Sequence, residues 1–185
     1  MHTNLAFTKL MKKYKNRTLF ILIISFILIS FTAKEENHGI SKSLFKIERS
    51  KDSDEIVYDI NLTTFGKLNT ENPINIYWIK HTNSNKIEPL SWIQKKFSYG
   101  LTFLDIGDNK AKFQFVSYGY RNFEIKKNTN GDFKVFTNSQ NKEVAVKRIF
   151  IQIDGGTFWF PNITKVELHA IDIKTGKDLI ETIVP

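Results

Sequence analysis

The chain has no cysteine in its 185 residues. That excludes disulfide frameworks, thiolate metal sites and cysteine nucleophiles together. No Gly-x-Ser-x-Gly or Ser-x-x-Lys signature marks a serine nucleophile. Neither a Gly-x-Gly-x-x-Gly fingerprint nor a P-loop is present, and Gly155-Gly156 reads as a turn rather than a phosphate cradle. No fixed-period repeat occurs, and no alternation of strand with helix, so solenoids and parallel α/β sheets are excluded. Leucine is scarce, and 16 Phe, 6 Tyr and 3 Trp must supply most of the bulk of a core.

What stands at the N-terminus is a leader. Residues 1–33 hold five basic residues (Lys9, Lys12, Lys13, Lys15, Arg17) and no acidic one, followed by the apolar run Leu19–Phe31. A basic segment before a short apolar one is the pattern of a secretory signal, and the run is short of the ~20 residues of a membrane span. Ala33 is small, but Phe31 occupies the place of a second small residue before cleavage. The expectation is an exported protein, periplasmic or in the cell envelope. Residues 1–33 are a cleaved signal or, uncleaved, an inner-membrane anchor through residues 19–33. No cysteine follows the run, which excludes a lipidated cysteine. The leader also accounts for most of the charge. Of a net +8, residues 1–33 supply five, leaving +3 for the rest. With neither a basic stripe nor a recognised motif remaining, no nucleic-acid partner is expected.

Residues 34–43 read as a tether, and residues 44–185 as one domain, large enough to bury a core without staples. Leu44 to Arg49 predicts a first strand. EIVYDINL alternates, with Ile56, Tyr58, Ile60 and Leu62 on one face. KFQFVSY places Phe113 and Phe115 inward, and Gly119 with Arg121-Asn122 interrupts before Phe123 resumes. Asn130-Gly131 signals a hairpin. VAVKRIFIQI is a longer strand, DGG at 154–156 a turn, and TFWFPN an aromatic segment stopped by Pro161. KVELHAIDI shifts its apolar phase near Ala170, suggesting a bulge or a strand buried on both sides. KTGKD is a last hairpin turn. Nine to eleven short strands with one helix predict an all-β fold, an antiparallel β-sandwich or a partly open barrel. Tyr58, Ile60, Trp78, Phe113, Phe115 and Ile151 are expected to share one core.

The organising stretch is Asn72 to Leu101. Ile74, Ile76 and Trp78 share an apolar strand face, while Asn75, Tyr77 and Ile79 form a mixed one. HTNSN is a polar loop. A short helix is predicted near 89–98, with Pro89 in its first turn and Gly100 just past its end. Leu90, Ile93 and Phe97 would form its buried face, with Gln94, Lys95 and Lys96 away from it. NPINIYWIK, EPLSWIQKKFSYG, EIVYDINL and the Gly-Lys-Leu-Asn turn at 66–69 carry a resemblance. They resemble the DUF4833 family of exported bacterial proteins, over about residues 44 to 183. That family has no established activity, so the resemblance implies a single domain and supplies no catalytic residues.

Candidate chemistry is thin. His81 and His169 are the only histidines beyond the leader and tether, and neither stands at ligand spacing to another, so no metal and no cofactor is expected. Asp105, Asp108 and Asn109 lack the rest of a calcium loop. Glu88 and Glu167 read as solvated charges. Tyr77, His81, Trp92, Tyr99 and Tyr118, near loops or on mixed faces with polar neighbours, are the candidate ligand-binding residues, and aromatics of this kind suit glycan stacking. The function expected is a non-catalytic envelope domain that binds a protein, glycan or lipid partner, touching membrane only through an uncleaved leader. The alternative is an extracytoplasmic hydrolase using His81 or His169 with a carboxylate.

Overall fold

The computed structural model describes residues 42–157 and 160–185. The leader, nearly all of the tether, and Phe158 with Trp159 of the aromatic segment lie outside the described residues. Eleven strands form: β1 (Lys42–Arg49), β2 (Glu55–Ile60), β3 (Ile74–Lys80), β4 (Lys86–Pro89), β5 (Leu101–Gly107), β6 (Lys110–Phe115), β7 (Tyr118–Lys127), β8 (Phe133–Ser139), β9 (Lys142–Gly156), β10 (Pro161–Asp172) and β11 (Asp178–Ile183). The one α-helix described, α1, spans Trp92–Phe97.

All strands belong to one sheet, curled into a half-barrel. Its spine is β9. Ala145 pairs with Phe136 of β8 on one side and Ile171 of β10 on the other, while Ile149 pairs with Ile47 of β1 and Leu168 of β10. So β8 and β1 follow one another along the same edge of β9, and β10 holds the opposite edge. From that shared edge two four-stranded wings diverge, β1-β2-β3-β4 and β8-β7-β6-β5, and their inner faces meet. The β1–β9 pair is parallel, the one departure from antiparallel pairing among the described strands. It needs no crossover helix because seven intervening strands carry the chain back.

The wings close on aromatic rings, as the leucine shortage requires. Phe45 stacks on Tyr58 at 4.4 Å, Tyr58 meets Phe115 edge-on at 5.8 Å, and Phe115 meets Phe123 edge-on at 5.2 Å. Such pairs add about 0.5–1.5 kcal/mol each beyond the area they bury. Tyr58, Ile60, Trp78, Phe113 and Phe115 are buried together, and Ile151 packs against them partly exposed, as expected. Tyr58 is fully buried because its hydroxyl has a partner, donating to the Tyr99 carbonyl at 2.7 Å.

Turn chemistry explains most boundaries. The β7–β8 loop is built on Asn128, whose side chain accepts from the N–H groups of Asn130 and Asp132, with Gly131 at φ +81°. Gln140 and Asn141 both adopt left-handed φ, which gives the two-residue β8–β9 turn. DGG at 154–156 lies within the end of β9 rather than forming the turn. β7 runs unbroken through Gly119 and Arg121-Asn122, and the break falls earlier, at Val116-Ser117.

The central stretch differs most from its sequence reading. HTNSN is followed by β4, not by helix, and Pro89 ends that strand. The helix starts two residues later, because Ser91 makes a capping box with Gln94. Gln94 Oε1 accepts from the Ser91 N–H at 2.9 Å and from Trp78 Nε1 at 3.3 Å. This turns Gln94 toward the sheet and rotates Ile93 and Phe97 outward, so the predicted buried face is the exposed one. Only Leu90, before the helix, is buried.

Candidate functional site

The outer face of the sheet carries two rows of charge set by register. One row crosses five strands and ends on a sixth: Tyr77, Val57, Lys46, Arg148, His169, Ile180. The next is Ile79, Glu55, Glu48, Phe150, Glu167, Thr182. Cations directly opposite one another destabilise a sheet. Here the carboxylates of the second row offset them diagonally. Lys46 Nζ lies 2.8 Å from Glu48 and 2.6 Å from Glu55, Arg148 pairs with Glu48, and His169 Nε2 lies 3.0 Å from Glu167. Burial alone would raise the pKa of Glu48, but Lys46 and Arg148 hold it below the usual value. Hydrogen bonds from Lys165 and His169 lower that of Glu167.

A bulge breaks the rows. His169 pairs with Arg148, but Ala170 pairs with Val146, so Lys147 is an extra residue in β9. A bulge re-aims side chains, and this one brings Lys147 beside Arg148 at the same opening. There a groove of about 410 Å³ is lined by Lys46, Lys147, Arg148, His169, Ala170, Asp178, Leu179 and Ile180. The lining holds three lysine or arginine cations and one carboxylate, with Glu48 and Glu55 pairing Lys46 and Arg148 from outside it. Lys147 and Asp178 pair at 3.0 Å with side chains 52% and 75% exposed, a contact of small stability. An incoming anion can replace such a partner at little cost. The expected bulge near Ala170 is therefore real, with the extra residue on the neighbouring strand. Ala170 and Asp172 keep the inward phase of Leu168.

The five candidate ligand-binding residues divide into two groups. Tyr77 and His81 belong to the outer face. The Tyr77 hydroxyl donates to Asp59 at 2.7 Å, and burial with that bond pushes its pKa up to about 12. His81 is exposed, with Nε2 3.5 Å from Glu55 and Nδ1 2.5 Å from the Asn85 side chain. Trp92, Tyr99 and Tyr118 belong to the neighbourhood of α1. Trp92 points to solvent. Tyr99 packs edge-on against Trp78 at 5.6 Å. Tyr118 follows a turn whose Ser117 hydroxyl donates to the Ser98 carbonyl at 2.7 Å. Beside Tyr99 lies a polar cluster on the Trp78 ring. Arg49 and Lys80 sit 4.5 and 4.1 Å from its centroid, each held by an aspartate, Asp52 at 2.5 Å and Asp54 at 3.1 Å. The cluster balances its own charge and leaves Trp78 only 2% exposed, so it reads as a plug at the sheet's end.

Both histidines have a carboxylate partner, as the catalytic alternative requires. The residues lining the groove, however, include no serine, threonine or tyrosine hydroxyl. No group of three or more His, Asp or Glu among the described residues is placed to hold a metal ion. Asp105 lies in β5 and Asp108 in the ordinary hairpin turn after it, paired to Lys67. Sequence reasoning missed Lys46, Lys147 and Arg148. Their signal was present: the apolar residues of β9 change phase from Val144 and Val146 to Ile149 and Ile151, across Lys147-Arg148.

Comparison with known families finds one match. The domain of unknown function DUF4833 matches residues 45–182, most of the chain. The chain belongs to the DUF4833 family. No curated protein and no solved structure matches it. The match includes every residue of the groove, both histidines and α1, so the candidate sites are parts of the DUF4833 domain itself.

Proposed function

We propose that this DUF4833 domain is a non-catalytic binding module of the bacterial cell envelope, exported by its leader, and that its outer groove takes an acidic glycan. The observation that carries the reading is the bulge at Lys147, which gathers Lys46, Lys147 and Arg148 at one opening beside exposed Ile180. A uronic-acid or phosphate-bearing sugar matches that opening. Its anion meets the cations, Lys147 foremost, and its C–H face meets the Ile180 side chain. Calorimetric titration with acidic and neutral oligosaccharides tests this. Binding should be confined to the acidic ones and weaken with salt. Lys147→Ala with Arg148→Ala should lower affinity at least tenfold, the effect of losing about 1.4 kcal/mol of charged hydrogen bonding. Equal binding of neutral sugars, or none of either, contradicts the reading. Export is tested separately, by fusing residues 1–41 to a reporter active only outside the cytoplasm.

A second reading rests on the His169–Glu167 contact at 3.0 Å, at the edge of the same groove. A histidine oriented by a carboxylate is half of a general-base arrangement. New reducing ends released from a bound glycan, lost in His169→Ala with binding retained, would favour a hydrolase over a binding module.

A further inference from the structure

Helix α1 is amphipathic with its faces reversed. Its one half-buried residue is the polar Gln94, and its apolar residues face water: Trp92 is 67% exposed, Phe97 59% and Ile93 39%. Gln94 sets which way the helix turns, but neither the cap nor the Trp78 bond requires the outward positions to be apolar. The rings are arranged, not scattered. Trp92 and Phe97 meet edge-on at 6.2 Å, and the Lys96 ammonium lies 5.0 Å and 5.3 Å from their centroids. No acidic residue occurs between Leu90 and Leu101, while Lys95 and Lys96 close the helix.

We infer that α1 is a membrane-contacting element that seats Trp92, Ile93 and Phe97 in the interface of an anionic bilayer. Trp is suited to that layer because its ring is apolar and its N–H is polar. Lys96, poised above both rings, reaches headgroup phosphates while its stem stays with the apolar residues. The absence of carboxylates gives the segment the charge complementary to anionic lipid. Left uncleaved, the apolar run Leu19–Phe31 would add a second membrane signal to that of α1. The helix is presented rigidly. Its capping box fixes its start, Gln94 ties it to buried Trp78, and Gly100 behind it accepts from the Val116 N–H at 3.0 Å. This inference stands apart from the groove, whose residues lie on the sheet's outer face.

The lack of native cysteine makes the test clean. Single cysteines replace Trp92 or Phe97 in the full chain, with Asn130→Cys and Lys174→Cys as controls in distant hairpins. Each is labelled with an environment-sensitive dye and mixed with phosphatidylglycerol vesicles, with and without brominated acyl chains. Dye at 92 and 97 should shift to the blue and be quenched by the brominated lipid, while dye at 130 and 174 should do neither. Vesicles of phosphatidylcholine alone should give a smaller shift at 92 and 97. An unchanged spectrum at both positions overturns the inference and leaves a protein partner for the face. Equal shifts at the controls overturn it too, since insertion would not be specific to α1. Circular dichroism of the labelled chains confirms that each is folded.

Discussion

Replacing Gly100 by alanine should be among the most damaging methyl additions this domain can receive. A Cβ there would lie 1.8 Å from the Lys95 carbonyl oxygen and 2.8 Å from its carbon, both backbone atoms. Ordinary contact begins near 3.4 Å, so the backbone must open by more than an ångström. Overpacking costs about 1–3 kcal/mol where side chains can yield, and more where only backbone can. The movement also strains the bonds gathered there: Val116 N–H to the Gly100 carbonyl, Tyr58 hydroxyl to the Tyr99 carbonyl, and Ser117 hydroxyl to the Ser98 carbonyl. Each contributes about 0.5–1.5 kcal/mol net. The alanine gains back only about 0.4–1 kcal/mol through the unfolded chain. A net loss of about 3–5 kcal/mol follows, a large part of the 5–15 kcal/mol typical of a domain. Gly131→Ala is the control, with φ +81° but nothing within 4 Å, so it should cost only the ~1–2 kcal/mol of left-handed strain. Urea unfolding followed by tryptophan fluorescence and far-UV dichroism compares the two. A Gly100→Ala protein within about 0.5 kcal/mol of wild type, or less affected than Gly131→Ala, would refute the seating of the helix on this glycine.

Other outcomes follow from single contacts. Gln94→Ala removes the acceptor for both the Ser91 N–H and buried Trp78 Nε1, and should cost about 2–4 kcal/mol in urea unfolding, with a changed Trp78 emission. Arg121 and Glu181 join β7 to β11 through two bonds of 2.8 and 2.6 Å, so Arg121→Leu should destabilise by about 1–3 kcal/mol, and less when Glu181→Leu is added, as a double-mutant cycle measures. Glu48, Asp54, Glu167, Asp172 and Glu181 all have pKa values lowered by folding. Their contribution is complete above the ordinary carboxylate range and lost as pH falls through it, so the melting midpoint should drop steadily below about pH 4.5. Tyr77 is the opposite case. Folding raises its pKa from 10.0 to about 12, so its contribution is full below pH 10 and lost as pH rises through 12, and Tyr77→Phe should flatten that alkaline decline in a thermal scan.

Much of the fold was legible because most strands obey one rule, alternation against a single core. Ile56, Tyr58 and Ile60 alternate and are buried, and so do Phe113 and Phe115. The helix was legible in its existence and place, but not in its start or its buried face. Leu90, Ile93 and Phe97 have the spacing of a buried face, but a six-residue helix is placed by its cap, and Gln94 serves the cap and Trp78 together. The face then follows Gln94, not hydrophobicity. Strand β4 was hidden for a related reason, since Pro89 reads as a helix start until Ser91 is seen to hold the cap. Of the candidate site, Tyr77, His81 and His169 were visible as chemistry-bearing side chains. What was not visible was their neighbourhood. Lys46, Arg148 and His169 are far apart in sequence and adjacent only because β9 receives β1 on one edge and β10 on the other. A parallel pairing closed over seven strands leaves no local trace. The bulge left one, in the phase change across Lys147-Arg148, and a phase change marks the place of a bulge without saying which strand holds the extra residue.

The most direct test of the binding reading is a two-dimensional amide NMR titration of the isotope-labelled protein with an acidic oligosaccharide and, separately, its neutral counterpart. The account predicts shifts for the acidic sugar concentrated at Lys46, Lys147, Arg148, His169 and Leu179, and none for the neutral sugar. Shifts gathered instead around Trp92 and Tyr99, or an acidic sugar that moves no residue of the groove, would contradict it.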